Sequence, residues 1–349
     1  MSNSSARKTP PTLTSPQGAG LRDHRLLIVL AAVLLLAGLG TALYAYFSGE
    51  SSTDNAQRFA IDFDGEQTYK YLKEICDIGP RRSGSEGMKK QQKYITDYFK
   101  GIGLEVIRQE FTDRHPLTGE PVEFANLIVE LHPEKKDRVL LCCHYDTRPF
   151  PDEDLRNPQG TFIGANDGAS GVALLMQMAV ELKNIDTAYG VDLIMFDGEE
   201  LIFRPSIDRY FLGSEYFASV YAKTPPKHKY HYGILLDMIG DAELQIYQER
   251  NSLAYQETAP LVNSIWRTAR SLRVLEFINK PKYEIRDDHL ALNNTAKIPT
   301  CDLIDFDYIY WHTEGDVPSR CSAESLAKVG YVLKVWLQRA APGQRLPGI

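Results

Sequence analysis

Apolar residues recur along this chain in two rhythms. Short runs around 139–143, 191–196 and 233–238 are apolar at nearly every position. Longer stretches bring apolar residues back every three or four positions. Runs of the first kind read as strands buried on both faces, and stretches of the second kind as helices with one covered side. The pattern predicts helices at 67–78, 87–102, 169–182, 214–221, 259–272 and 323–339. It predicts strands at 105–110, 127–131, 139–143, 191–196, 233–238, 243–247 and 300–305. Alternation of the two implies an α/β fold, a three-layer sandwich around a central, mostly parallel mixed sheet. No repeat and no linker divides the region from 60 onward, so 60–349 reads as one domain.

The stretch 26–47 breaks the rhythm. It is mostly apolar and carries no charge, and at 1.5 Å per residue it is long enough to cross a hydrocarbon core of roughly 30 Å. Arg7, Lys8, Arg22 and Arg25 precede it, while Glu50 and Asp54 come after it. The positive-inside rule then keeps the N-terminus cytoplasmic and exports the rest of the chain. A cleaved signal peptide is the competing reading, but Tyr44, Tyr46 and Phe47 stand where small residues would mark its cleavage. The expected order is a Ser/Pro/Thr-rich disordered cytoplasmic tail at 1–25, a single transmembrane anchor at 26–47, a polar linker at 48–59, and an extracytoplasmic or periplasmic domain.

The length of 349 residues allows a substantial core. A net charge of -7 with no basic run argues against nucleic acid as a partner. The five cysteines include no C-x-x-C pair, which disfavours a structural zinc knuckle. Cys142 and Cys143 close an apolar run and read as small buried residues. Export permits a disulfide, though an odd count leaves at least one thiol free.

Chemistry gathers where the strands end. His144 follows the run 139–143, Glu199 and Glu200 follow 191–196, Asp237 closes the apolar part of 233–238, and His312 lies in the loop after 300–305. In open α/β sheets ligands sit beyond the carboxyl ends of the strands. Asp167, in G-A-N-D-G, opens the helix at 169. Taken singly these signals are weak: an Asp before a helix is more often a cap than a ligand, and a His among aromatics is more often packed. Two adjacent carboxylates repel, so a loop that keeps Glu199 beside Glu200 has a use for them. One can bind metal while the other carries protons. His nitrogen and carboxylate oxygen together suit zinc.

The ordered phrases H-Y-D, G-A-N-D-G-A-S-G-V-A, D-G-E-E, L-L-D-M and W-H-T resemble the zinc aminopeptidase and glutaminyl cyclase superfamily over essentially everything after the linker. In its aminopeptidase branch, positions matching His144, Asp167, Glu200, Asp237 and His312 hold two zinc ions, and the Glu199 match is the general base. Asp287-Asp288-His289 and Trp311 are closer to bacterial glutaminyl cyclases. There the resemblance implies one zinc on Asp167, Glu200 and His312, proton transfer by Glu199, Asp237 and Asp287, and a pocket wall at Trp311. Asp237 would pair with Asp287 instead of binding metal, and the substrates would be peptide or protein N-termini. The chain departs from that pattern after D-G-E-E, where Phe203 or Tyr210 must supply a second aromatic wall. The cysteine bridge of the animal cyclases also lacks its partner, because Val172 stands opposite Cys143. A non-catalytic ectodomain predicts eroded ligands, and none of the five is eroded.

Overall fold

A computed structural model describes residues 61–339. The expected tail, anchor and linker at 1–59 lie outside the described residues. Among the described residues no helix is long and apolar enough to cross a membrane.

The helices are α1 (Gly65–Cys76), α2 (Glu86–Gly101), α3 (Ala169–Lys183), α4 (Leu212–Lys223), α5 (Arg250–Ala254), α6 (Ala259–Ser271), α7 (His289–Ala291) and α8 (Ala323–Arg339). The strands are β1 (Ile107–Arg114), β2 (Pro121–Leu131), β3 (Asp137–His144), β4 (Gly190–Phe196), β5 (Lys229–Asp237), β6 (Ile246–Gln248), β7 (Phe277–Pro281) and β8 (Thr300–Ile304).

Six strands form the central mixed sheet in the order β1-β2-β4-β3-β5-β8. β4, β3, β5 and β8 run parallel, and β2 joins antiparallel to both β4 and β1. The continuous apolar runs follow from burial on both faces. Val139, Leu141 and Cys143 of β3 pack with α1, α2, α3, α6 and α8 on one side. Leu140 and Cys142 pack with Phe217 and Ala218 of α4 and with Leu292 and Ala296 on the other. Adjacent Cys142 and Cys143 thus enter different layers, and all five cysteines are buried free thiols.

One expectation needs correction, and one element was not foreseen. The strand foreseen at 243–247 is the short β6, which pairs with β7 in a separate parallel two-stranded sheet. The helical turns at His289–Ala291 and Leu292–Ala296 had no helical signal in the sequence; they are held by Asn293, whose amide donates to the carbonyls of His289 and Thr300.

Candidate active site

Backbone geometry presents the site residues at the carboxyl ends of the parallel strands. His144 is the last residue of β3, Asp237 the last of β5, and Glu199 and Glu200 lie just past β4. Gly168, before α3, has φ +97°, and a Cβ there would meet the Asp146 carbonyl at 3.0 Å and the His144 ring at 3.2 Å. Only glycine lets the Asp167 loop approach so closely. His312 sits at φ +53°, a sparsely populated conformation for a residue with a Cβ and one that clusters at functional sites.

Asp146 and Asp316 are the scaffold. Asp146 accepts the amides of Glu199 (3.2 Å) and Glu200 (3.0 Å) and the hydroxyl of Ser83 (3.1 Å). Asp316 accepts the amides of Asn166 (2.8 Å) and Asp167 (3.1 Å) and the Tyr308 hydroxyl (2.7 Å). The His144 Nδ1 lies 3.2 Å from the Asp146 carbonyl oxygen. A carbonyl only accepts, so that nitrogen carries the proton and Nε2 is left to face the acids.

Two groups of potential ligand atoms result, and Asp167 belongs to both. Asp167, Glu200 and His312 form one; His144, Asp167 and Asp237 form the other, each with its ligand atoms within 4.8 Å of one another. His312 Nε2 stands 3.3 Å from Glu200 Oε1 and 3.5 Å from Asp167 Oδ2. His144 Nε2 stands 3.2 Å from Asp167 Oδ1 and 3.3 Å from Asp237 Oδ1. Asp167 Oδ2 and His312 Nε2 are buried without a hydrogen-bond partner. Buried polar atoms are ordinarily satisfied, and orphans of these types, converging from two chain segments beside Glu200, fit a zinc ion. Second contacts fix the ligands as metal sites require. Asp152 Oδ1 lies 3.4 Å from His312 Nδ1. Arg148 donates to Glu200 Oε2 at 2.8 Å and to both oxygens of Asp152 at 2.7 and 3.0 Å.

The electrostatics separate the two adjacent glutamates. Burial and the charge of Glu200 hold the Glu199 carboxyl well above its usual range. Burial would raise Glu200 too, but Arg148 and His312 outweigh it and push that carboxyl well below. Burial opposes charge on His312, yet Glu200 and Asp152 raise it to about 9. Burial, then the charges of Asp237 and Asp288, keep Asp287 well above the ordinary carboxyl range. One carboxyl thus stays ionised while its neighbour has a raised affinity for a proton, the division that acid–base chemistry needs.

These groups line a cavity of about 160 Å³ with Glu199, Asp237 and Asp287 on its walls, closed by Trp311, Tyr210 and Phe306. The Trp311 ring stacks on His312 at 3.9 Å. Tyr210 is therefore the second aromatic wall, whereas Phe203 lines a separate, larger groove. His144, Asp167, Glu199, Glu200, Asp237, Asp287, Trp311 and His312 thus converge on one place, and Phe203 does not. Asp237 and Asp287 face the same cavity and the Asp237 charge raises the Asp287 carboxyl; Asp237 also faces His144, and Asp287 Oδ1 accepts the Asp288 amide. Sequence reasoning missed Arg148, Asp152, Asp146 and Asp316 as braces. Asp146 stood in the sequence only as the last letter of H-Y-D, and Arg148 and Asp152 only as charges that follow it; Asp316 left no trace.

Residues 126–337 match the description "Peptidase family M28". The chain belongs to that family. This M28 chain is similar to the glutaminyl cyclase of Fimbriiglobus ruber, with 38% identity over 79% of this chain and 95% of that one and a TM-score of 0.76. It is also similar to a Zn-dependent exopeptidase from Parabacteroides distasonis, with 30% identity over 80% and 99% of the two chains and a TM-score of 0.73. The glutaminyl-peptide cyclotransferase of Bos taurus is 25% identical and covers 91% of this M28 chain and 98% of its own length.

Proposed function

We propose that this M28 member is a glutaminyl-peptide cyclotransferase, converting an N-terminal glutamine to pyroglutamate with release of ammonia. The observation that carries the reading is a one-residue cavity in which Glu199, a carboxyl with raised proton affinity, stands beside the ionised Glu200, with Asp287 on the same wall. The similarity to the F. ruber cyclase supports it.

Asp167, Glu200 and His312 are the proposed ligands of one zinc ion, which when bound polarises the side-chain amide carbonyl of the substrate. Glu199 takes a proton from the α-amine as its nitrogen attacks the side-chain amide carbon. The ring C–N bond forms, the bond to the departing nitrogen breaks, and Glu199 returns the proton to leaving ammonia. Asp287 and Asp237 hydrogen-bond the neutral α-amine and aim its lone pair at the amide carbon, and Trp311 and Tyr210 hold the glutamine stem and exclude water.

A second reading, a two-zinc aminopeptidase, is favoured by one observation, the intact triad His144–Asp167–Asp237. Incubation with a Gln-initiated and a Leu-initiated peptide decides between them. Loss of one ammonia from the first, with the second untouched, is the expected result; release of free leucine would replace the cyclase with the peptidase.

The proposal includes export behind an N-terminal anchor, supported by the uncharged run 26–47 and the basic residues before it. Protease added to spheroplasts, whose inner membrane is intact, should then digest the folded domain's epitope; protection would contradict export.

A further inference from the structure

The cavity is small, and its mouth has an unusual surround. At about 160 Å³ it falls below the roughly 300–1,000 Å³ of ordinary ligand clefts and takes one amino-acid residue. The residues after an N-terminal glutamine must therefore lie across the rim. Three of the four most exposed large apolar residues on the described surface lie in loops that supply the cavity's walls: Leu155 at 100%, Ile309 at 81% and Ile207 at 70%. Each is two residues from a wall residue of the cavity, namely Glu153, Trp311 and Pro205. That separation is at most about 7 Å between Cα atoms. They come from three different loops, so no single turn accounts for them.

Two of these loops are braced by carboxylates. Asp154 accepts the amides of Arg156 and Asn157 at 2.8 and 3.1 Å and that of Glu314 at 3.1 Å, tying the loop of Leu155 to the segment after His312. Asp208 accepts the amides of Phe203 and Arg204 at 2.9 and 2.8 Å, and the Ile207 amide donates to the Arg204 carbonyl at 2.9 Å. Apolar side chains on braced loops beside a site lower the ordering cost of binding, and their grouping in the loops of one small cavity fits an interaction surface.

We infer that Leu155, Ile207 and Ile309 form an apolar collar that reads the residues immediately after the N-terminal glutamine, selecting substrates with large apolar side chains there. The inference rests on the cyclase reading. The occupant is the substrate's own chain, because it must leave the cavity through this mouth; a lipid surface is the competing occupant.

The test uses the full chain and two peptides, Gln-Leu-Phe-Gly-Lys and Gln-Ser-Gly-Gly-Lys, with ammonia release followed for each. Two apolar side chains that bury part of their surface should raise kcat/KM for the first by on the order of tenfold. The triple variant Leu155→Ser/Ile207→Ser/Ile309→Ser, shown to be folded by thermal unfolding, should bring that ratio to within about twofold of unity. A wild-type ratio already near unity overturns the inference and leaves the cyclase reading intact. So does a triple variant that keeps the full preference. If the ratio is near unity and the triple variant loses binding to phosphatidylglycerol vesicles that the wild type shows, the collar faces lipid and the inference is overturned in favour of that reading. Absence of ammonia from both peptides overturns the cyclase reading and this inference with it.

Discussion

β3 and β4 carry buried charge at both ends, and the two ends differ in how that charge is answered. At the amino end, Arg138 of β3 donates to Asp192 of β4 at 3.0 Å and to the carbonyls of His132, Lys135 and Leu131 at 2.9, 3.2 and 3.0 Å. Tyr230 donates to the remaining Asp192 oxygen. One cation meets one anion there, and the polar atoms are used. At the carboxyl end, His144, Asp167, Glu199, Glu200, Asp237 and Asp287 are all buried or nearly so, with Arg148 as the one fixed cation in contact with them. Orphaned oxygens and ring nitrogens remain. Burying an unanswered charge is costly, so a fold keeps such a cluster only where something else completes it. The first end is structure; the second is a site prepared for a cation and a proton.

That contrast can be broken in a graded way. Asp167→Ala, which removes the ligand shared by both groups, should strip the metal and take turnover below detection, read by zinc content and ammonia release; a zinc-replete, active variant contradicts the assignment. Glu199→Gln keeps the shape and removes the proton carrier. Zinc should stay bound while kcat falls about 10²–10⁴-fold, and retained turnover would free Glu199 from its role. Arg138→Met leaves Asp192 buried and unpaired, and breaking such a pair costs about 3–5 kcal/mol. Denaturant unfolding should show that loss while zinc affinity of the folded protein is unchanged. Arg148→Met removes the brace on Glu200 and Asp152, where loss of a supporting contact weakens metal binding about 10–100-fold. A chelator competition that finds no change would make Arg148 a purely structural residue, like Arg138.

Much of this was legible in the sequence because strand ends and local phrases are local. His144, Glu199, Glu200 and Asp237 follow apolar runs whose burial could be read directly, and direction along the strand places them at one edge. The supporting layer was not legible, because its contacts join distant segments. Asp316 reaches the Asp167 amide across 149 positions and Asp146 the Glu200 amide across 54. Nothing near Asp316 in the chain signals that contact. The choice of Tyr210 over Phe203 as the second wall depends on how the 201–210 loop folds, with Asp208 turning it back on the amides of Phe203 and Arg204. The β6–β7 pair escaped because Phe277–Pro281 is short and ends in charge and proline.

The central claim is that the carboxyl-end cluster completes itself with one zinc and then cyclises glutamine. Zinc-free protein titrated with zinc, with ammonia release from a Gln-initiated peptide measured at each addition, tests it most directly. Activity should rise linearly and level off at one equivalent per chain. A plateau reached only at two equivalents, or leucine release from a Leu-initiated peptide rising in its place, would contradict the account.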